Sequence, residues 1–345
     1  MAERERYRAG IIWLGFIGGA DQVSGDALGQ KVEDLGGTHL RALSNHPRVD
    51  LVAGSSRDSG RRERFTQRSG AKAYSDWAEM LKAEQLDIVS VATYANVHAE
   101  IVLACAAAGV PAIYCEKPIA QTAAAAMEML EACRQRNVLL AINHNRRFEL
   151  NHRRLRDLIS DGGLGSVTSV SAQWSAGRLG NVGTHMFDAV LMLTSRRAKA
   201  VSGCLDRAGK PDCRGPAFQD PGGWGMIRLQ DEVMVTFDAA DYANVPPSIV
   251  VNGLEGIARV GSNGVDLNLA DGRQEHWEGT GEQPMDRAVA EIVSSLDGAA
   301  FSYEAELAVH TLEIIAGIHA SHHRNGVFVD LPLAGDDRDL VVNSG

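Results

Sequence analysis

The chain has 345 residues, of which 45% are apolar, enough for a sizeable core, and its net charge at neutral pH is -10. That acidity argues against nucleic acid or an anionic membrane as partner, since either would need a basic surface. The charged N-terminus, MAERERYRAG, lacks the apolar core of a secretion signal, and no run of about 18 apolar residues occurs. The cysteines (Cys105, Cys115, Cys133, Cys204 and Cys213) are odd in number with no CxxC pair, so reduced thiols and a cytoplasmic location are expected.

Residues 1–143 alternate between two periods. Strand-like runs at 9–14, 49–55, 87–93, 111–115 and 138–143 are apolar on both faces. Amphipathic helical spacing marks 38–45, 58–69, 76–84, 97–109 and 120–137. This alternation predicts an α/β, doubly wound parallel sheet covered by helices, whose ligands sit at the carboxyl ends of the strands. From residue 144 the pattern changes. A helix at 147–161 leads through a GGLG turn to a strand at 166–176 and a helix at 183–194. Strands then dominate, at 198–206, 224–230, 232–240, 248–253, 256–260 and 264–269, before helices at 284–297 and 303–323. Residues 144–345 therefore read as an α+β domain with a mostly antiparallel sheet, ending in a loose tail at 335–345.

At the expected carboxyl end of the fifth strand stands Glu116-Lys117-Pro118. A lysine there can bring positive charge to a substrate oxygen, and Pro118 is expected to open the next helix. A surface turn with solvated charges is the competing reading of the tripeptide alone. Other stretches accompany it: ATYANVHAEIVLACAAAGVPAIYCEKPIA (92–120), NHNRRF (143–148), GNVGTHMFD (180–188) and LEIIAGIHASHHRNGVFVDLPL (312–333).

In that order these stretches resemble the Gfo/Idh/MocA family of sugar and inositol dehydrogenases, over nearly the whole chain. The resemblance implies a Rossmann domain followed by an α+β domain with a large, mostly antiparallel open sheet. It implies that Lys117 touches both substrate and nicotinamide, with Glu116 beside it. It implies that His185 is the general acid/base and that position 181 carries its partner. Removing a hydride from a CH–OH carbon requires the hydroxyl proton to leave too, and imidazole titrates near the working pH. A nearby ammonium stabilises charge developing on oxygen. The family usually has aspartate where this chain has Asn181. An amide can orient the imidazole but cannot stabilise an imidazolium; the comparable change in a serine-protease triad costs about 10⁴ in rate. Asp188 is a substitute for that charge or a residue structuring its helix.

The cofactor loop departs as well. Trp13-Leu14-Gly15-Phe16-Ile17-Gly18 has tryptophan where GxGxxG begins, and an insertion at 20–37 follows, bringing Gly25, Gly29, Gly36 and Gly37. Gly15, Gly18 and Gly19 are the expected pyrophosphate glycines. After the second strand, Ser56-Arg57 replaces the acidic residue that binds a ribose 2′-OH. A hydroxyl and a guanidinium accept a 2′-phosphate, so NADP is expected over NAD, with Arg61 and Arg62 adding charge and Asp58 capping a helix. Arg57 stacked on adenine would suit either cofactor.

Thr93 and His98 match family positions beside the dinucleotide, and Asn145 and Arg146 match positions that touch substrate; Arg146 or Arg147 also suits a purely structural tie. Trp174 reads as a core or dimer residue before a sugar contact. His319, His322 and His323 have helical spacing without a further ligand, so no metal is expected. The leading function is an NAD(P)-dependent oxidoreductase acting on a secondary alcohol or ketone of a sugar, sugar derivative or cyclitol, as a homodimer or homotetramer joined through 224–269. The alternatives are a dihydrodiol or biliverdin reductase-like enzyme, and a ligand-sensing protein on the same fold.

Overall fold

The computed structural model describes residues 5–23, 36–175, 177–206, 215, 218–241 and 246–344. They form two compact units. The first comprises residues up to 119 with 127–145 and 282–305; the second comprises 120–126, 146–281 and 306–345. The sequence division at 143/144 thus falls beside the Asn145–Arg146 junction, while 120–126 and 282–305 each cross it.

The first unit holds a six-stranded, all-parallel sheet in the order β3-β2-β1-β4-β5-β6. Its strands are β1 (Tyr7–Ile12), β2 (Val49–Ser55), β3 (Lys72–Tyr74), β4 (Ile88–Val91), β5 (Ala112–Cys115) and β6 (Leu139–Ile142). Every residue of β4 and β5 is buried, which is why these segments are apolar on both faces. Between them run α1 (Phe16–Gly19), α2 (His39–Asn45), α3 (Ser59–Ser69), α4 (Trp77–Ala83), α5 (His98–Ala107) and α6 (Ala123–Gln135). Thr38, Asp58 and Asp76 cap α2, α3 and α4 by accepting free backbone N–H groups. The strand order reverses between β1 and β4, the point where such sheets bind ligands.

The second unit begins with α7 (Leu150–Ser160), β7 (Val167–Gln173) and α8 (Thr184–Thr194). Then come β8 (Ala198–Asp206), β9 (Gly222–Leu229), β10 (Met234–Asp238), β11 (Ser248–Gly253), β12 (Gly256–Gly261), β13 (Gly264–Leu269) and β14 (Gln274–Trp277). The chain returns to the first unit for α9 (Pro284–Leu296) and ends with α10 (Ala305–His323) and β15 (Val329–Asp330). The nine-stranded sheet has the order β14-β13-β12-β11-β7-β10-β9-β8-β15, antiparallel except between β7 and β10. Burial alternates along its strands, and Trp224, Met226 and Ile257 stand exposed on the side-chain rows that face away from the core.

Three strands escape sequence reading: β3, β14 and β15 are two to four residues long, too short to show a period. The tail also corrects its expectation. Residues Gly335–Asp339 form a short 3₁₀ turn, Arg324 pairs with Asp337 at 2.6 Å, and buried Val342 donates its N–H to the Gln121 carbonyl at 2.8 Å. Gly180 is required here, because a Cβ would collide with the Asn343 carbonyl.

Candidate functional site

The loop leaving β1 carries the altered glycine motif. Trp13 sits at φ 80°, a region that costs a non-glycine residue about 1–2 kcal/mol. Its indole is held by the Arg61 guanidinium 4.8 Å from the ring centre and by Tyr94, edge-on at 5.4 Å. Gly18 and Gly19 are needed for close approach: a Cβ on either would strike the carbonyl of Trp13 or Leu14. Gly15 opens α1 and its carbonyl accepts from the Gly19 N–H at 2.8 Å. Asp21 is buried and takes two hydrogen bonds from Arg64, at 2.9 and 2.8 Å; burial would raise its pKa, but these bonds lower it. Gly25 and Gly29 lie outside the described residues.

At the carboxyl end of β2, Ser56 is buried, and its Oγ accepts from the Asp58 N–H at 3.3 Å. Asp58 caps α3, as expected. Two of the basic residues counted toward a 2′-phosphate are otherwise engaged. Arg62 donates to the carbonyls of Ser56 and Arg57, at 2.7 and 2.8 Å, and Arg61 covers Trp13. Arg57 is exposed, and its side chain makes no hydrogen bond or ion pair among the described residues.

The carboxyl ends of β4, β5 and β6 share a buried polar network. Glu116 Oε1 receives His39 Nε2 at 3.0 Å and Asn143 Nδ2 at 2.6 Å, and Tyr114 donates to Asn143 Oδ1 at 2.7 Å. The Ser90 hydroxyl meets the other nitrogen of His39. Burial alone would raise the Glu116 pKa, but His39, Lys117 and Asn143 outweigh it and hold the group at about 2. Glu116, expected beside the cofactor, is anchored by hydrogen bonds to partners within the protein. Its second oxygen accepts the Lys117 N–H at 3.2 Å, tying the half-buried lysine's backbone to the network. The Lys117–Pro118 peptide is cis, and α6 starts only at Ala123, so Pro118 does not open that helix.

His98, too, is engaged inside the protein. Its fully buried ring places Nδ1 at 3.0 and 3.2 Å from the carbonyls of Pro118 and Ile119, and Nε2 at 3.0 Å from that of Thr93. Burial lowers its pKa while the surrounding main-chain carbonyls raise it, and both ring nitrogens are spent on those carbonyls within the protein. Thr93 Oγ1 and Asn145 Oδ1, by contrast, are buried without a hydrogen-bond partner among the described residues. Sequence reading missed His39, Ser90, Tyr114 and Asn143. For Ser90 and Tyr114 the available signal is a polar side chain in an otherwise apolar strand; His39 opens α2 and Asn143 follows β6.

In the second unit, Leu179–Gly183 form a π-helical turn leading directly into α8. Half-buried Asn181 lies in that turn and His185, also half-buried, in the first turn of α8. Asp220, unnoticed in the sequence, accepts the N–H groups of Gly180 and Asn181, both at 2.7 Å. Asp188 is not a substitute for the missing aspartate: Arg147 Nε reaches both its oxygens, at 2.9 and 2.8 Å, and the pair is buried. Trp174 is a core residue, donating to the Gly177 carbonyl at 2.7 Å. His322 accepts the Leu205 N–H at 3.2 Å, and no group of three metal-ligating side chains occurs among the described residues.

The family description of Gfo/Idh/MocA proteins, an oxidoreductase family with an NAD-binding Rossmann fold, matches residues 32–144. Over those residues the chain is similar to the NAD-binding Rossmann domain of that family. It is 31% identical to the rhizopine catabolism protein MocA of Rhizobium meliloti over 175 residues, 47% of this chain and 55% of that protein. It is 38% identical to a D-apiose dehydrogenase of Paraburkholderia graminis over 129 residues, 37% of this chain and 34% of the relative. The match thus spans about half or less of these two relatives. A levoglucosan dehydrogenase solved with NADH and L-sorbose is 20% identical, with a TM-score of 0.81 over 96% of this chain and all of that one, a likeness of fold. No helix among the described residues is long and apolar enough to cross a membrane.

Proposed function

We propose that the whole chain is a Gfo/Idh/MocA-type protein and a pyridine-nucleotide dehydrogenase or reductase acting on a secondary alcohol or ketone of a sugar, sugar derivative or cyclitol. The observation that carries the reading is Lys117 at the carboxyl edge of β5, with the preceding Glu116 fixed by His39 and Asn143. A buried network of this kind is wasteful beneath a solvated surface turn but suits a lysine whose position matters. The first unit's residues fit a dinucleotide: among the described residues Thr93 Oγ1 has no partner and the Arg57 side chain is unengaged, and Gly18 and Gly19 allow close packing at the switch point. The nicotinamide, when bound, supplies the hydride acceptor or donor.

In this reading Lys117 holds its ammonium near the substrate oxygen and stabilises charge developing there. His185 takes the hydroxyl proton during oxidation and returns it during reduction. Asn181 orients the imidazole without adding charge. NADP is favoured over NAD, because a carboxylate is missing at position 56 and Arg57 can meet a 2′-phosphate. The open sheet face with Trp224, Met226 and Ile257 supports assembly as a homodimer or homotetramer, and the buried Cys105, Cys115 and Cys133 thiols suit a cytoplasm. The test is a panel of polyols, aldoses and cyclitols with NADP and NAD, followed at the absorbance of the reduced nicotinamide. Turnover of at least one compound, lost in Lys117→Ala and His185→Ala, supports the reading. Turnover unchanged in both variants overturns it.

A further inference from the structure

A cavity of about 180 Å³ opens within the second unit, walled by Arg146, Glu149, His152, Met186 and Pro247 and closed by the ends of β11 and β12. At about 30 Å³ per water in liquid, that is room for roughly six non-hydrogen atoms: an acid group and a few carbons, but not a nucleotide. Of the three ionisable side chains there, two are paired with each other. His152 Nδ1 lies 2.7 Å from Glu149 Oε2, and that pairing lowers the Glu149 pKa although burial would raise it. Arg146 is different. Its guanidinium makes no hydrogen bond and no ion pair among the described residues, and burial is the main influence on its pKa, pulling it down. The other carboxylate in electrostatic reach, Asp188, is held by Arg147 through both oxygens.

An arginine cannot shed its charge at physiological pH, so a half-buried guanidinium with no ion pair among the described residues favours the arrival of an anion. Its planar fork matches a carboxylate or phosphate through two parallel hydrogen bonds. We propose that Arg146 makes this cavity a binding site for the carboxylate or phosphate group of a small anionic ligand. Glu149, tied back by His152, then limits affinity and keeps the site from holding any stray anion tightly. Two sources of the acid group are open to test. One is a charged substituent on the substrate, a choice that rests on the dehydrogenase reading. The other is a free anion acting separately from the reaction, which does not depend on that reading.

The experiment is calorimetry on the full chain with inorganic phosphate, D-glucuronate and its neutral counterpart D-glucose. The wild type should bind at least one of the two anions about tenfold or more tightly than D-glucose, and R146Q should lose that preference, with R146K retaining part of it. E149Q should bind the anion several-fold more tightly, a gain that a misfolded protein cannot produce. Phosphate that competes with D-glucuronate places the acid group on a substrate; phosphate that binds without competing marks a separate anion. Anion binding in a protein that turns over no polyol would leave the site standing while removing the dehydrogenase reading. Equal anion affinity in wild type, R146Q and E149Q would overturn the site.

Discussion

His39 Nε2 lies 3.0 Å from Glu116 Oε1, linking the first turn of α2 to the carboxyl end of β5 across 77 residues of sequence. Because a carboxylate only accepts, the proton sits on Nε2, and Asn143 completes the coordination of the same oxygen at 2.6 Å. Glu116 therefore has a pKa of about 2 in the folded protein against an ordinary 4.5. A depressed carboxylate pKa adds stability that is present above pH 4.5 and is lost as pH falls toward 2. The contribution is about 3 kcal/mol. His39→Ala should raise the midpoint of acid unfolding, followed by circular dichroism, and cost about 3 kcal/mol at neutral pH. An unchanged acid midpoint would show that the pair does not hold the fold.

Cofactor choice should turn on Arg57 and position 56. Arg57→Ala should weaken NADP binding about tenfold, the scale of one charge-assisted hydrogen bond, with little effect on NAD. Ser56→Asp should reverse the preference by setting a carboxylate against the 2′-phosphate. Calorimetry with both cofactors decides, and equal or tighter NAD binding by the wild type sinks the expectation.

The catalytic division of labour can be tested at Asn181. Lys117→Ala should cost about 10²–10³ in rate and His185→Ala about 10²–10⁴, with cofactor affinity nearly intact. Asn181→Asp supplies the charge that stabilises an imidazolium, so the oxidation rate should hold or rise and its pH optimum should move upward. Loss of activity in that variant, with fold and cofactor affinity preserved, would mean that the amide contacts substrate and that another residue moves the proton.

Assembly should depend on the exposed row of β9. Trp224 pairs across the sheet with Asp238 and Cys204, and Met226 with Thr236 and Ser202. Light scattering of the wild type at micromolar concentration should give a dimer or tetramer, and Trp224→Glu should shift it toward monomer. A monomeric wild type would refute this use of the face.

The buried pair of Arg147 and Asp188 offers a stability test apart from catalysis. Arg147→Ala leaves the Asp188 carboxylate buried without the guanidinium that now meets both its oxygens, and should cost about 3–5 kcal/mol in urea unfolding. A loss below about 1 kcal/mol would show that solvent or another cation readily replaces the arginine.

Local sequence by itself determined the alternation of doubly apolar strands with helices through residue 143, and then the run of alternating strands. Those periods follow from which faces a segment buries, so β2, β8, β11 and β13 are legible to the residue. Helix caps such as Asp58 are equally local. The tertiary structure decided what the polar residues do. Glu116 and His98 look like ligand contacts in sequence, yet both spend their hydrogen bonds inside the protein, on partners brought from other elements. Asp188 looks like a spare charge beside His185 until Arg147 is seen on both its oxygens. The tail appears loose until Val342 is found bonded to Gln121, more than two hundred residues away. Burial patterns are written in neighbouring residues, whereas a side chain's hydrogen-bond partners are set by which distant strands and helices the fold brings together.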